Sequence, residues 1–215
     1  MNTVDTTAGD RAPASSMTRV RYMVQIAMLG AIALILMLFE FPLPFAPAFY
    51  KIDLSEVPVL IGCFAMGPLA GVAIEFLKIL LHLLMFGTMT AFVGEIANFF
   101  IGCAFVLPAA LIYKYVRTRR GAIIGMVSGT AIMTVVGCFV NAYVLLPAYA
   151  AAFSMPLDSL VEMGTAINSN INTVTTLVIL CVAPFNLLKG VVVSVIVFVI
   201  YKKISPLLKT GGVRT

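Results

Sequence analysis

Charge is what this sequence has least of. Only 11% of its 215 residues are charged, while 61% are hydrophobic. Soluble domains run near half apolar and a quarter charged. A soluble chain of this length has no single core large enough to hide so much apolar surface. A lipid solvent removes the difficulty, because apolar side chains can then face outward. Histidine is almost missing, with His82 alone. HExxH and GxSxG do not occur, and Gly125-Met126-Val127-Ser128-Gly129 has the wrong spacing for the second. GxxxxGK[ST] is absent too, so ATP is not hydrolysed here by that route. Cys63, Cys103, Cys138 and Cys181 each sit inside an apolar run without CxxC spacing. They read as small buried hydrophobes rather than metal ligands. These absences speak against an enzyme and against a resident metal or cofactor.

Basic residues outnumber acidic ones 14 to 9. They stand in short clusters beside apolar runs, not in a stripe interleaved with aromatics. That is the pattern of membrane orientation signals, and nucleic acid is discarded as a partner.

What is present is a series of apolar runs, each about the 20 residues that a spanning helix needs. Residues 1–18 are rich in Thr, Ala, Ser, Gly and Asp and read as a disordered tail. An apolar stretch over 20–39 follows. It is longer than a signal-peptide core, although Ala46-Pro47-Ala48 faintly resembles a cleavage site, and it reads as a retained first helix. Pro42, Pro44 and Pro47 forbid a helix in the next segment. That segment is too apolar to wave in water, and Phe41, Phe45, Phe49 and Tyr50 need something to pack on. A second, short helix is expected to end at Met66, capped by Asp53 or Ser55. Residues 67–71 are expected to form a tight turn, with a third helix following them to 86. Further helices are expected over 91–115, 121–150 and 175–201, with a short surface helix in the polar stretch 153–172. The expected fold is an all-α integral membrane bundle of six transmembrane helices over 19–205, with a terminal tail over 206–215.

With the N-terminus inside the cell, Arg11, Arg19 and Arg21, then Lys114, Arg117, Arg119 and Arg120, then Lys202, Lys203, Lys209 and Arg214 all fall inside. The outer loops keep Lys51 as their only base. This split needs an even number of spans and puts both termini in the cytoplasm, with the proline-rich loop outside.

Ionisable residues at membrane depth cost at least about 2.5 kcal/mol each on insertion scales. Glu75, Lys78 and His82 share one helix face, either as a self-neutralising ion pair or as a proton relay. Glu95 and Asn98 are three apart, as are Asn186 and Lys189 just after Pro184. Asn141 lies about 30 Å along its helix, toward the outside. Lys189 has no carboxylate near it on its own helix, so another element or a ligand must satisfy it. Glu95, Asn98, Asn141, Asn186 and Lys189 therefore suggest a polar chamber under an aromatic lid, suited to a small amphipathic molecule. Gly121, Gly125 and Gly129 repeat at four, as do Ala27 and Ala31, a spacing that lets helices approach closely.

The stretches FPLPFAPAFYKIDLSEVP, GPLAGVAIEFLKILLHLL, GEIANFFIG, the NAY at Asn141 and APFNLLKG resemble the S components of energy-coupling-factor vitamin importers, in particular their riboflavin branch. The resemblance runs from the first helix to the last. It implies a high-affinity riboflavin-binding subunit of a bacterial plasma membrane. Asn141, Asn186 and Lys189 would hold the vitamin, with Ala46, Pro47, Ala48 and Phe49 of the loop completing the site. Ala27 and Ala31 would dock a transmembrane coupling subunit, and two ATPase subunits would complete the importer. The alternatives are a proton-coupled secondary transporter working through Glu75, Lys78 and His82 and, more remotely, a membrane enzyme acting on lipid.

Overall fold

The computed structural model describes residues 14–88 and 90–209, with side chains over 19–88 and 90–200. Helix α1 spans Ala14–Leu38. It begins inside the segment whose composition suggests a tail; residues 1–13 and 210–215 lie outside the described residues. Glu40 and the first prolines end it. The proline-rich loop is not purely irregular. Phe41–Pro42 (β1) pairs antiparallel with Lys51–Ile52 (β2), Phe41 opposite Ile52. The fold is thus helical with one miniature hairpin, which bends the loop back over the bundle.

Helix α2, Glu56–Met66, is about 16 Å long, roughly half the hydrocarbon thickness. Gly67, at φ 101°, makes the turn into α3, Pro68–Phe86, whose first residue needs no N–H donor. Helix α4 spans Val93–Tyr115 and α5 Arg119–Val140, the latter capped by Thr118 Oγ accepting from Gly121 N. A π turn, Asn141–Leu145, joins α5 to α6, Leu146–Ala152. The short α7, Leu157–Thr165, fills the polar stretch. Then α8, Val174–Leu177, runs through a second π turn, Val178–Val182, into α9, Ala183–Lys209. Helix α9 extends past 205, into the stretch expected to be tail.

Each π turn ends two residues before a proline, Pro147 in one case and Pro184 in the other. Leu146 N donates to Asn141 O and Ala183 N to Val178 O, one residue wider than the α pattern. The register is shifted just before a residue that has no N–H to give. Pro184 is accommodated in this way inside one continuous helical span.

Among the described residues, five continuous helices are long and apolar enough to cross a membrane: Arg19–Leu38, Pro68–Phe86, Val93–Tyr115, Arg119–Ala152 and Val174–Ile200. Helix α2 is apolar but shorter, at 11 residues. Exposed Leu84, Phe100, Val127, Phe139 and Val195 suit a lipid-facing surface. Gly125 and Gly129 bring α5 onto α4: a Cβ on Gly125 would lie 2.7 Å from Ala109 O, and one on Gly129 would strike Phe105 O. The glycine repeat is internal packing, while Gly121 abuts the Val116 carbonyl in the α4–α5 turn.

The core divides in two. One cluster gathers Leu60, Phe64, Phe105, Met126, Met133, Val193 and Val197. The other gathers Tyr50, Leu146, Leu160, Ile171, Leu177 and Phe185. Along α5 and α9 the buried polar residues Asn141, Asn186 and Lys189 fall where one cluster gives way to the other.

Candidate functional site

A cavity opens at that boundary, with about 790 Å³ of open space, mouth included. Helix α4 contributes Asn98, and the α5–α6 junction contributes Asn141 and Tyr149. Helix α9 supplies Phe185, Asn186 and Lys189, and the loop supplies Glu40, Phe49, Tyr50, Lys51 and Asp53. Asn186 and Lys189 share a face of α9 because they are three residues apart. Asn141 comes to meet them because α5 packs on α9. A Cβ on Gly137, one turn before Asn141, would lie 2.7 Å from the Asn186 amide nitrogen.

Lys189 finds its partner off its own helix. Its Nζ donates to Asp53 Oδ2 at 3.0 Å, and both side chains stay about a tenth exposed, at 11% and 9%. Asp53 Oδ1 accepts from Ser55 N, which arrests the chain just before α2. The expected side-chain cap is not made, since Ser55 stands at the N-cap without a cap bond and Asp53 instead joins the Ser55 N–H to the Lys189 ammonium. Burial would raise the Asp53 pKa, but the Lys189 and Lys78 ammonium groups outweigh it and hold the carboxyl at about 2.

The amides are partly engaged. Asn141 Nδ2 donates to Gly137 O at 2.7 Å and its Oδ1 accepts from Tyr50 OH at 2.8 Å. Asn186 Nδ2 donates to Val182 O at 3.0 Å. Aromatic rings stand beside them: Phe49 and Tyr50 lie 4.5 Å apart, Phe49 meets Tyr149 edge-on at 6.3 Å, and Tyr50 lies 5.7 Å from Phe185. Lys51 and Glu40, both exposed, pair across the hairpin at the mouth. The chamber offers amide and ammonium groups at its wall and flat apolar surface around them. That arrangement is suited to binding and orienting a small molecule.

Other residues singled out in the sequence lie elsewhere. Glu95 is buried, but its Oε2 accepts from the Thr88 and Thr90 hydroxyls at 3.1 and 2.8 Å. Those bonds hold the α3–α4 turn, where Ala91 and Phe92 adopt positive φ. Glu95, Ala46, Pro47 and Ala48 are not among the cavity's lining residues. Ala46 packs in the cluster under the loop, and Pro47 O accepts from Tyr50 N. Ala27 and Ala31 are exposed on α1.

Glu75 and Lys78 do pair, at 2.7 Å, but with a third member. Lys78 Nζ also donates to Glu56 Oε1 at 3.0 Å and to Ser55 Oγ at 3.2 Å. All three charged side chains are at most 1% exposed. His82 has no bond to this group: its Nδ1 lacks a partner among the described residues, and its ring lies 5.4 Å from Phe86. Asp53, Ser55, Glu56, Thr130 and the Tyr50 hydroxyl were left out of the polar set expected from the sequence. The helix-entry signal at Asp53 and Ser55 and the packing need of Tyr50 pointed near them.

Fold and chamber together define a multi-pass membrane protein built to hold a small molecule. Residues 21–201 match the model of the ECF transporter, substrate-specific component family, and the chain belongs to that family. It is 36% identical to the riboflavin transporter FmnP of Bacillus subtilis over 189 residues, covering 87% of this chain and 94% of the relative. It is 34% identical to the riboflavin transporter RibU of Staphylococcus aureus, covering 90% and 95%. A solved structure described as the S component of a bacterial ECF transporter superposes with a TM-score of 0.68. That protein is 34% identical, with 89% of this chain and 99% of the other covered.

Proposed function

We propose that this protein is the riboflavin-binding S component of an energy-coupling-factor importer, and that the cavity is its vitamin site. The observation that carries the reading is the Lys189 ammonium, held by Asp53 on a wall shared with Asn98, Asn141 and Asn186 and faced by Phe49, Tyr149 and Phe185. Ammonium and amide groups suit ring carbonyls and ribityl hydroxyls, and the aromatic side chains suit a flat isoalloxazine ring. The names of the relatives support the same ligand.

The charge split supports six spans with both termini in the cytoplasm of a bacterium, α2 counting as the short span and the hairpin loop facing outward. Exposure of Ala27 and Ala31 supports docking of a coupling subunit against α1. Two ATPase subunits then supply the energy that this chain has no phosphate loop to harvest. The S component itself performs no covalent chemistry. Purified protein titrated into riboflavin is expected to quench its fluorescence and to carry yellow colour through dialysis. Unchanged flavin fluorescence would reject the reading.

A further inference from the structure

Tyr50 is the one loop residue whose polar tip reaches a cavity amide. Its side chain is buried, its ring packs 4.5 Å from Phe49 and 5.7 Å from Phe185, and its hydroxyl lies 2.8 Å from Asn141 Oδ1. The direction of that bond follows from the far end of the amide. Gly137 O can only accept, and Asn141 Nδ2 lies 2.7 Å from it. Oδ1 must therefore face Tyr50, and the phenol must be the donor. Burial pushes the Tyr50 phenol above its ordinary pKa, which keeps the proton on the oxygen. Asn141 also begins the π turn, so the bond joins the loop to the place where α5 departs from regular helix.

We infer that Tyr50 is a positioning residue that latches the loop to α5 and fixes the Asn141 amide so that its free N–H, rather than its oxygen, faces the cavity. An amide that accepts from Tyr50 on one oxygen lone pair and gives one hydrogen to Gly137 keeps one N–H to offer, with its oxygen turned toward the phenol. It then recognises an acceptor on the ligand, such as a ring carbonyl, and discriminates against a donor at the same place. Without the hydroxyl the amide oxygen becomes available and the loop loses its polar tie to the bundle. This inference rests on the cavity being the riboflavin site, but its latch half can be tested without ligand.

The test is a double-mutant cycle with Tyr50→Phe and Asn141→Ala, read by riboflavin titration and stopped-flow dissociation, together with hydrogen exchange of residues 39–52 in ligand-free protein. Tyr50→Phe keeps the ring and removes one hydrogen bond, so dissociation should speed up about tenfold. In the Asn141→Ala background the same change should add less than about twofold, because its partner is gone. Exchange in the loop should rise in both single variants, and no further in the double. Independent, additive effects on dissociation would show Tyr50 acting by packing alone and overturn the positioning role. Unchanged loop exchange in both single variants would overturn the latch. Wild-type protein that fails to bind riboflavin while the exchange coupling persists would overturn the ligand reading and the amide-polarity claim, leaving the latch standing.

Discussion

Two buried charge groups lie close together in this molecule and differ in one respect. Lys78 is enclosed by Glu56, Glu75 and Ser55, with the three charged side chains at most 1% exposed. Lys189 is tied to Asp53 alone and keeps a tenth of its side chain open to the cavity. The first ammonium is enclosed by two hydrogen bonds and a second ion pair; the second has donors left. The comparison teaches that a lysine at membrane depth does not by itself mark a site. What marks it is unspent hydrogen-bonding capacity facing a space that a ligand can enter.

The sharpest way to break the contrast is Lys78→Ala. It leaves two carboxylates buried without a counter-charge, and removal of one partner from such a group costs about 3–5 kcal/mol. Thermal unfolding in detergent should show this loss, with flavin affinity in the surviving folded fraction affected far less. Lys189→Ala should do the reverse. Asp53 can be rehydrated through the cavity, so stability should change less, while riboflavin affinity should fall by at least about tenfold, as for loss of a charge-assisted hydrogen bond. Asn186→Ala should weaken binding in the same direction, and both should exceed the effect of Glu75→Ala in a fluorescence titration. The opposite ranking would favour a relay through Glu75 and Lys78.

Acid separates the two groups more gently. The Asp53 carboxyl is held at about 2, below its ordinary 3.8. The stability that this pair contributes is therefore complete above the ordinary value and lost as pH falls through about 2. Unfolding midpoints of wild type and Asp53→Asn should differ by a constant amount from pH 7 down to about 4, and converge below that. The smallest structural effect is expected outside both groups. Ala27→Trp sits on an exposed face of α1, so it should leave flavin binding within about twofold while blocking vitamin uptake in cells. Persistent uptake would remove α1 as the docking face.

Much of the fold could be read from the chain. Helix α2 lies where its apolar run suggests, whereas α3 begins at Pro68, inside the stretch 67–71 that reads as a turn, because Gly67 alone makes the turn and proline suits a first helical position. The π turns could not be read: they answer to prolines only through the register of the surrounding helix. Neither could the start of α1 at Ala14, in a segment whose composition favours disorder. Of the cavity lining, Asn98, Asn141, Asn186 and Lys189 were accessible because polar residues in apolar runs need a reason, whereas Phe49 came only through the family resemblance. Glu95 passed the same filter and belongs to a turn, since the filter detects burial of polarity and not its partner.

By itself the sequence determined the solvent, the helical spans, their alternation of charge and the short list of buried polar residues. Each of these follows from local composition and spacing. Only the tertiary structure decided the pairings, sending Lys189 to Asp53, Lys78 to Glu56 and Tyr50 to Asn141, between residues 22 to 136 positions apart. Such distances along the chain are closed by packing, which residue type and spacing cannot specify.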